Sequence, residues 1–129
     1  IFGIGTDIVN INRMEHSLKK HGFSFKNRIF SKKEISYCEK KKNSSSFYAK
    51  RFAAKEAFTK ALGTGIRKGV NLKNIEITNN VYGKPLILLK GNLSSYLKKK
   101  IKSSKYDIHL SLSDDKPWAQ ATVIISYNK

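Results

Sequence analysis

The stretch FYAKRFAAKEAFTKALG, residues 47–63, reads as a helix more plainly than any other part of the chain. It is rich in alanine and carries neither Gly nor Pro before Gly63, which stands where a left-handed residue closes a helix. At about 100° per residue, Phe47, Ala54, Phe58, Ala61 and Leu62 share one face, and that face is expected in the core. Glu56 and Lys60 lie together on one flank, Arg51 and Lys55 on the other. Ser44–Ser46 precede the helix as candidate caps.

Upstream, Phe2–Ile8 reads as a short strand broken by Gly3 and Gly5. A helix follows, with Asn10 as N-cap and Ile11, Met14 and Leu18 as its apolar stripe, ending at His21-Gly22. Ser31 and Glu34 have capping-box spacing, which predicts a helix over 32–41 and a polar loop over 40–46. Downstream, Gly63–Gly69 is a glycine-rich loop. Asn74–Thr78 and Pro85–Leu89 read as two strands of a hairpin. Leu93, Leu97 and Ile101 mark a helix opened by Gly91-Asn92. Ile108–Ser113 alternates as a half-buried strand, Asp114–Pro117 turns, and Ala119–Tyr127 is the last strand. Helices and strands in this mixed order predict an α+β fold. At 129 residues, one domain over 1–129 is expected.

The composition narrows the class. Hydrophobic residues make up 40% and charged residues 27%, the mixture of a globular domain. The longest apolar runs, at Leu86–Leu89 and Val123–Ile125, are far shorter than a membrane span, so no membrane association is expected. No basic segment followed by an apolar run opens the sequence, and no secretory leader is expected in it. The single cysteine, Cys38, excludes an internal disulfide and a cysteine-based zinc site, which suits a cytoplasmic protein. The net charge is +17, divided as +9 over residues 1–64 and +8 over 65–129, so it is no tail. Such a surface attracts polyanions: nucleic acid, phosphorylated ligands or an acidic protein. Only four of the 26 basic residues are arginine, which argues against base-specific readout.

Among so many cations the nine acids are informative. Asp7 ends a glycine-rich strand, where a carboxylate can face a cleft or simply cap a turn. Glu56 lies mid-helix and can pair with Lys60 or serve a ligand. Together, Asp7 and Glu56 among lysines and beside a glycine-rich loop fit a magnesium–diphosphate site, since magnesium takes one or two carboxylates plus phosphate oxygens. His109 shares a polar strand face with Ser111 and Ser113, turned to solvent or to a ligand. A dinucleotide fingerprint and a P-loop are both absent, and no two histidines have metal-ligand helical spacing. A nucleic-acid module would leave Asp7 and Glu56 without a task, and no aromatic–basic alternation supports one. No feature favours a non-catalytic scaffold.

The motifs Gly3-Ile4-Gly5-Thr6-Asp7-Ile8, Arg51 to Ala61, Gly63-Thr64-Gly65-Ile66, Gly83-Lys84-Pro85 and His109 to Asp114 are similar, in order and spacing, to the holo-[acyl-carrier-protein] synthase family. The resemblance covers essentially the whole chain. It implies an α+β 4′-phosphopantetheinyl transferase fold, assembled as a homotrimer with sites between subunits. It implies transfer of 4′-phosphopantetheine from coenzyme A to a serine of acyl carrier protein, releasing adenosine 3′,5′-bisphosphate, in support of fatty acid biosynthesis. By resemblance Asp7 and Glu56 hold Mg2+ and Lys60 stabilises the phosphates, with Glu56 or a magnesium-activated water as base. Arg51, Gly63, Thr64, Gly65, Gly83, Lys84, Pro85 and His109 contact coenzyme A, some from a neighbouring subunit, and Arg13 and Arg28 meet the carrier protein. An exposed Met14 or Leu18 would add an apolar anchor for that partner. Phe52 stands where much of the wider superfamily has Trp, and Asp114 where some members have a second histidine. The segment Lys19–Lys26 is one residue longer than in some relatives.

Overall fold

The computed structural model describes residues 1–63 and 70–128. Strand β1 spans Gly3–Asn10, followed by helices α1 (Ile11–Ile29), α2 (Lys32–Glu39) and α3 (Ser44–Leu62). A 3-10 turn, Leu72–Asn74, leads into the hairpin β2 (Ile75–Asn79) and β3 (Pro85–Leu89). Helix α4 (Leu93–Ile101) and the strands β4 (Tyr106–Asp115) and β5 (Trp118–Tyr127) complete the described chain. The α+β class read from the sequence is the class observed.

Two antiparallel sheets form among the described residues: β1-β5-β4 and β2-β3. β5 is central to the first, with Val123 opposite Gly5 on one side and Leu110 on the other. Its alternate residues Ala119, Ala121, Val123 and Ile125 are buried against α3. The predicted one-sided core face of α3 is therefore too narrow. Helix α3 lies between β1, β5, β2 and the helices α1 and α2, and it is buried nearly all round, including Tyr48, Ala49, Arg51, Ala53, Lys55 and Thr59. Phe47, expected in the core, is only half-buried.

Gly3 and Gly5 do not break β1; they make room. A Cβ on Gly5 would lie 2.0 Å from the Ala57 carbonyl oxygen, and one on Gly3 would lie 1.9 Å from that of Ala61. Only the bare backbone lets α3 settle onto β1. Helix α1 begins as expected, the Asn10 side chain accepting from the N–H groups of Asn12 and Arg13. Gly22 is non-helical with φ 56°, as the expected stop requires, but the helix resumes beyond it and runs to Ile29. The Ser31–Glu34 capping box is present. Ser44–Ser46 do not cap α3 but form its first turn, after Asn43, which makes no capping bond. Gly63 closes α3 in the left-handed region, φ 88°. The expected turn at Asp114 is instead strand: β4 runs on to Asp115, opposite Trp118.

Candidate functional site

Asp7 sits on the α3 side of β1, half-buried, where Gly3 and Gly5 have brought the helix close. Lys60 on α3 donates from Nζ to Asp7 Oδ1 at 3.1 Å and to the Thr6 carbonyl at 2.9 Å. Glu56 lies one helical turn before Lys60 and is also half-buried. Burial raises its pKa above the ordinary carboxylate value; the charge of Asp7 adds to the rise, and Lys60 opposes it. A groove of about 390 Å³ opens here, lined by Asp7, Asn10, Arg13, Phe25, Phe52 and Glu56 among others. The charge of Asp7 disfavours ionisation of Glu56, and a cation between the two relieves it. Lys60 bonds Asp7 and not Glu56, so the pair fits a divalent ion that also takes phosphate oxygens. No cluster of three or more His, Cys, Asp or Glu forms a protein-only cage among the described residues.

A second polar site lies further back on α3. Arg51 is buried, 3% exposed, with its guanidinium 4.1 Å from the centre of the Tyr37 ring. Its Nη2 donates to Asn79 Oδ1 at 3.0 Å, while its buried Nε has no partner. Asn79 in turn donates to the Gly83 carbonyl at 3.0 Å, and Asn80 Oδ1 accepts from the N–H of Lys84 at 3.0 Å. Arg51 and the Gly83-Lys84-Pro85 turn, separate in the sequence, are thus joined through Asn79. A pocket of about 210 Å³ opens between Lys33, Tyr37, Arg51 and Asn79. An arginine with an unspent N–H, beside the exposed Lys33, is an anion receptor.

One chain does not bring every expected residue together. Glu56 and Arg51 point from different faces of α3. His109 lies on the outer face of the three-stranded sheet, on the edge strand opposite β1, exposed and 3.2 Å from Ser126 Oγ through Nε2. Arg13 lines the groove beside Asp7; Arg28 is exposed in the last turn of α1 and does not. Met14 and Leu18 are 5% and 8% exposed, so they are core and not a free apolar anchor. Phe23, just past the Gly22 kink, is the exposed apolar residue of α1 at 69%. Thr64 and Gly65 lie outside the described residues, and Gly63 is the helix cap. Sequence reasoning missed Lys33, Tyr37 and Asn79, which reach Arg51 only through the tertiary fold. It also placed Lys55 on a flank beside Arg51, whereas Lys55 is fully buried.

Comparison with known proteins gives the family. The profile of the 4′-phosphopantetheinyl transferase superfamily matches residues 3–122. The chain is 48% identical to the holo-[acyl-carrier-protein] synthase of Wolbachia pipientis, covering 97% of both chains. It is 45% identical to that of Pelagibacter ubique over 97% of this chain and 96% of the relative. Among solved structures, the holo-[acyl-carrier-protein] synthase of Neisseria meningitidis superposes with a TM-score of 0.89 at 39% identity, covering 98% of each chain. That of Helicobacter pylori, in complex with coenzyme A, gives 0.83 at 36% identity, covering 95% of this chain and 99% of that one. The motifs from Gly3 to Asp114 are those of one family, and the chain belongs to the 4′-phosphopantetheinyl transferase superfamily, on its holo-[acyl-carrier-protein] synthase branch.

Proposed function

We propose that this chain moves the 4′-phosphopantetheine group of coenzyme A onto a serine hydroxyl of an acyl carrier protein, in support of fatty acid biosynthesis. The observation that carries the reading is that Asp7, Glu56 and Arg13 line one groove between β1, α3 and α1, with Lys60 bonded to Asp7. The names of its relatives, and the coenzyme A bound in the Helicobacter structure, give the same chemistry. The whole chain, 1–129, acts as one transferase domain. Cys38 is buried and unpaired, and no described helix is long and apolar enough to cross a membrane; the reading places the enzyme in the cytoplasm.

In the reaction the serine Oγ attacks the β-phosphorus of coenzyme A. The bridging P–O bond of the diphosphate breaks, and adenosine 3′,5′-bisphosphate leaves with the electron pair. Asp7 and Glu56 are the residues that would hold Mg2+, which when bound neutralises the diphosphate charge. Lys60, 55% exposed along its side chain, is free to swing from Asp7 onto the phosphates. The serine proton passes to Glu56 or to a water beside it. Arg51, Lys84 and the turn Gly83–Pro85 hold the phosphates and nucleotide of coenzyme A, and the resemblance adds Gly63, Thr64 and Gly65 to these contacts. Arg13 and Arg28 meet the acidic carrier protein, with Phe23 as its apolar contact.

Assembly completes the site. The outer sheet face exposes Ile4 at 62% and Ile8 at 60%, with Trp118 at 47% at its end. Exposed Ile4, Ile8 and Trp118 along one side of this otherwise polar face mark an interface. His109 lies on the same face, remote from its own Asp7, so a homotrimer packed there delivers it to a neighbour's coenzyme A. Release of adenosine 3′,5′-bisphosphate, measured with and without apo carrier protein and Mg2+, tests the reading. Release that needs both supports it, and release without carrier protein, or none at all, contradicts it.

A further inference from the structure

At the centre of the chain lies a closed polar node that the proposed chemistry does not use. The Lys55 side chain is 0% exposed, and all three of its N–H donors are spent. They go to Glu34 Oε1 at 2.7 Å, to the Leu72 carbonyl at 2.8 Å and to the Ile75 carbonyl. Glu34, equally buried, accepts from the Ser31 N–H at 2.9 Å through Oε1 and from the Ile77 N–H at 3.1 Å through Oε2. Of these five hydrogen bonds, four fasten the start of α2, the middle of α3, the 3-10 turn and β2 to one another, and the Ser31 bond closes the cap of α2.

Stability alone does not call for this arrangement. A buried ion pair gives up the hydration of both charges, and apolar residues of similar volume are often as stable or more so. What the pair adds is direction, because each of the five bonds tolerates little displacement while apolar contacts let elements slide. The elements it fastens carry the site. Lys55 adjoins Glu56 and lies four residues after Arg51. Ile77 lies two residues before Asn79, which bonds both Arg51 and the Gly83 carbonyl. Lys33 and Tyr37 flank Glu34 on α2, and both line the pocket at Arg51.

We infer that Lys55 and Glu34 form a positioning pair that holds β2 and the turn 83–85 in register on α3. It thereby sets the shape of the anion pocket at Arg51. Neither residue touches reacting atoms. The inference rests on the transferase reading, under which the Arg51 pocket takes phosphate of coenzyme A.

The test replaces the pair by apolar residues, Glu34→Leu with Lys55→Met, and measures coenzyme A binding by calorimetry and the kinetics of both substrates. The expected result is a folded protein whose dissociation constant and KM for coenzyme A rise about tenfold, with KM for carrier protein within about twofold of wild type. A pair that only stabilises the fold lowers the melting temperature and leaves coenzyme A affinity unchanged, and that result overturns the inference. Glu34→Gln keeps the volume of the side chain and carries the same test should the double variant not fold; unchanged coenzyme A affinity there is equally contrary. The wild-type titration tests the transferase reading by itself, and the difference between wild type and variant tests the pair.

Discussion

At Gly5 a single methyl group decides whether α3 can lie on β1. The added Cβ would meet a backbone oxygen of α3, which cannot rotate away as a side chain can. Gly5→Ala is therefore expected to cost about 3 kcal/mol or more, the upper end of over-packing, and to lower the melting temperature by more than about 10 °C. Differential scanning calorimetry checks this. A melting temperature within a degree or two of wild type would mean that helix and strand are not so close. Asp7→Asn and Glu56→Gln test the chemistry instead. Each should leave the fold intact and slow turnover about 1000-fold, the loss of roughly 4 kcal/mol of charge stabilisation. Near-normal turnover at saturating magnesium would remove both residues from the site. Cys38 offers a check on the core. Burial pushes its thiol up to about 12, so at pH 8 the folded protein presents roughly 1000-fold less thiolate than an ordinary cysteine. The sign follows: the unfolded chain ionises first, so stability falls as pH rises from about 8.5 toward 12. Iodoacetamide at pH 8 should label Cys38 only after unfolding; rapid labelling of the native protein would contradict the packing.

At the scale of elements, the proposed trimer rests on the outer face of the β1-β5-β4 sheet. Ile8→Glu places a charge on the strand face that exposes Ile4 and should convert such a trimer to monomer, with activity lost in proportion, as light scattering and turnover would show together. A fully active monomeric variant would remove the shared site. Much of this layer was legible in the sequence because its signals are local. The capping box at Ser31–Glu34, the Asn10 cap, the Gly63 stop and the alternation along β4 each depend on residues a few positions apart. What was not legible depends on distant partners. Glu34 was read as a cap, and its second role as acceptor for Lys55, 21 residues on, has no local trace. Lys55 read as a solvated flank because a lysine is buried only when its charge is met, and its partners come from three other segments. Gly3 and Gly5 read as strand breakers because the helix that needs their bareness lies more than fifty residues away. Asp114 read as a turn, yet the ladder with β5 carries it into β4, where it binds Ser46 and Lys50 at the start of α3. For the site, the motifs of the resemblance supplied Asp7, Glu56, Lys60 and Arg51. Asn79 and Tyr37, which finish the Arg51 pocket, lack a motif of their own.

For the whole molecule, a charge of +17 in 129 residues is a field spread over the surface, with pI near 10.1. Both proposed substrates are anionic, so the field speeds encounter with each. Arg13 and Arg28, the proposed carrier-protein contacts, are exposed, whereas Arg51 is buried and screened less by salt. Raising sodium chloride from about 0.05 to 0.5 M should therefore raise KM for carrier protein several-fold and move KM for coenzyme A less. Equal shifts would place the carrier protein on a surface other than α1. In the proposed trimer, charge repulsion between subunits is offset by the exposed Ile4, Ile8 and Trp118 and by the anionic ligands. The claim on which all of this rests is the transfer itself. It is tested most directly by mass spectrometry of an apo acyl carrier protein incubated with this chain, coenzyme A and Mg2+. The expected result is a carrier protein heavier by one 4′-phosphopantetheine, with the added mass mapped to a single serine and absent when Glu56 is replaced by Gln. A carrier protein of unchanged mass, with native trimeric enzyme and both substrates present, would contradict it.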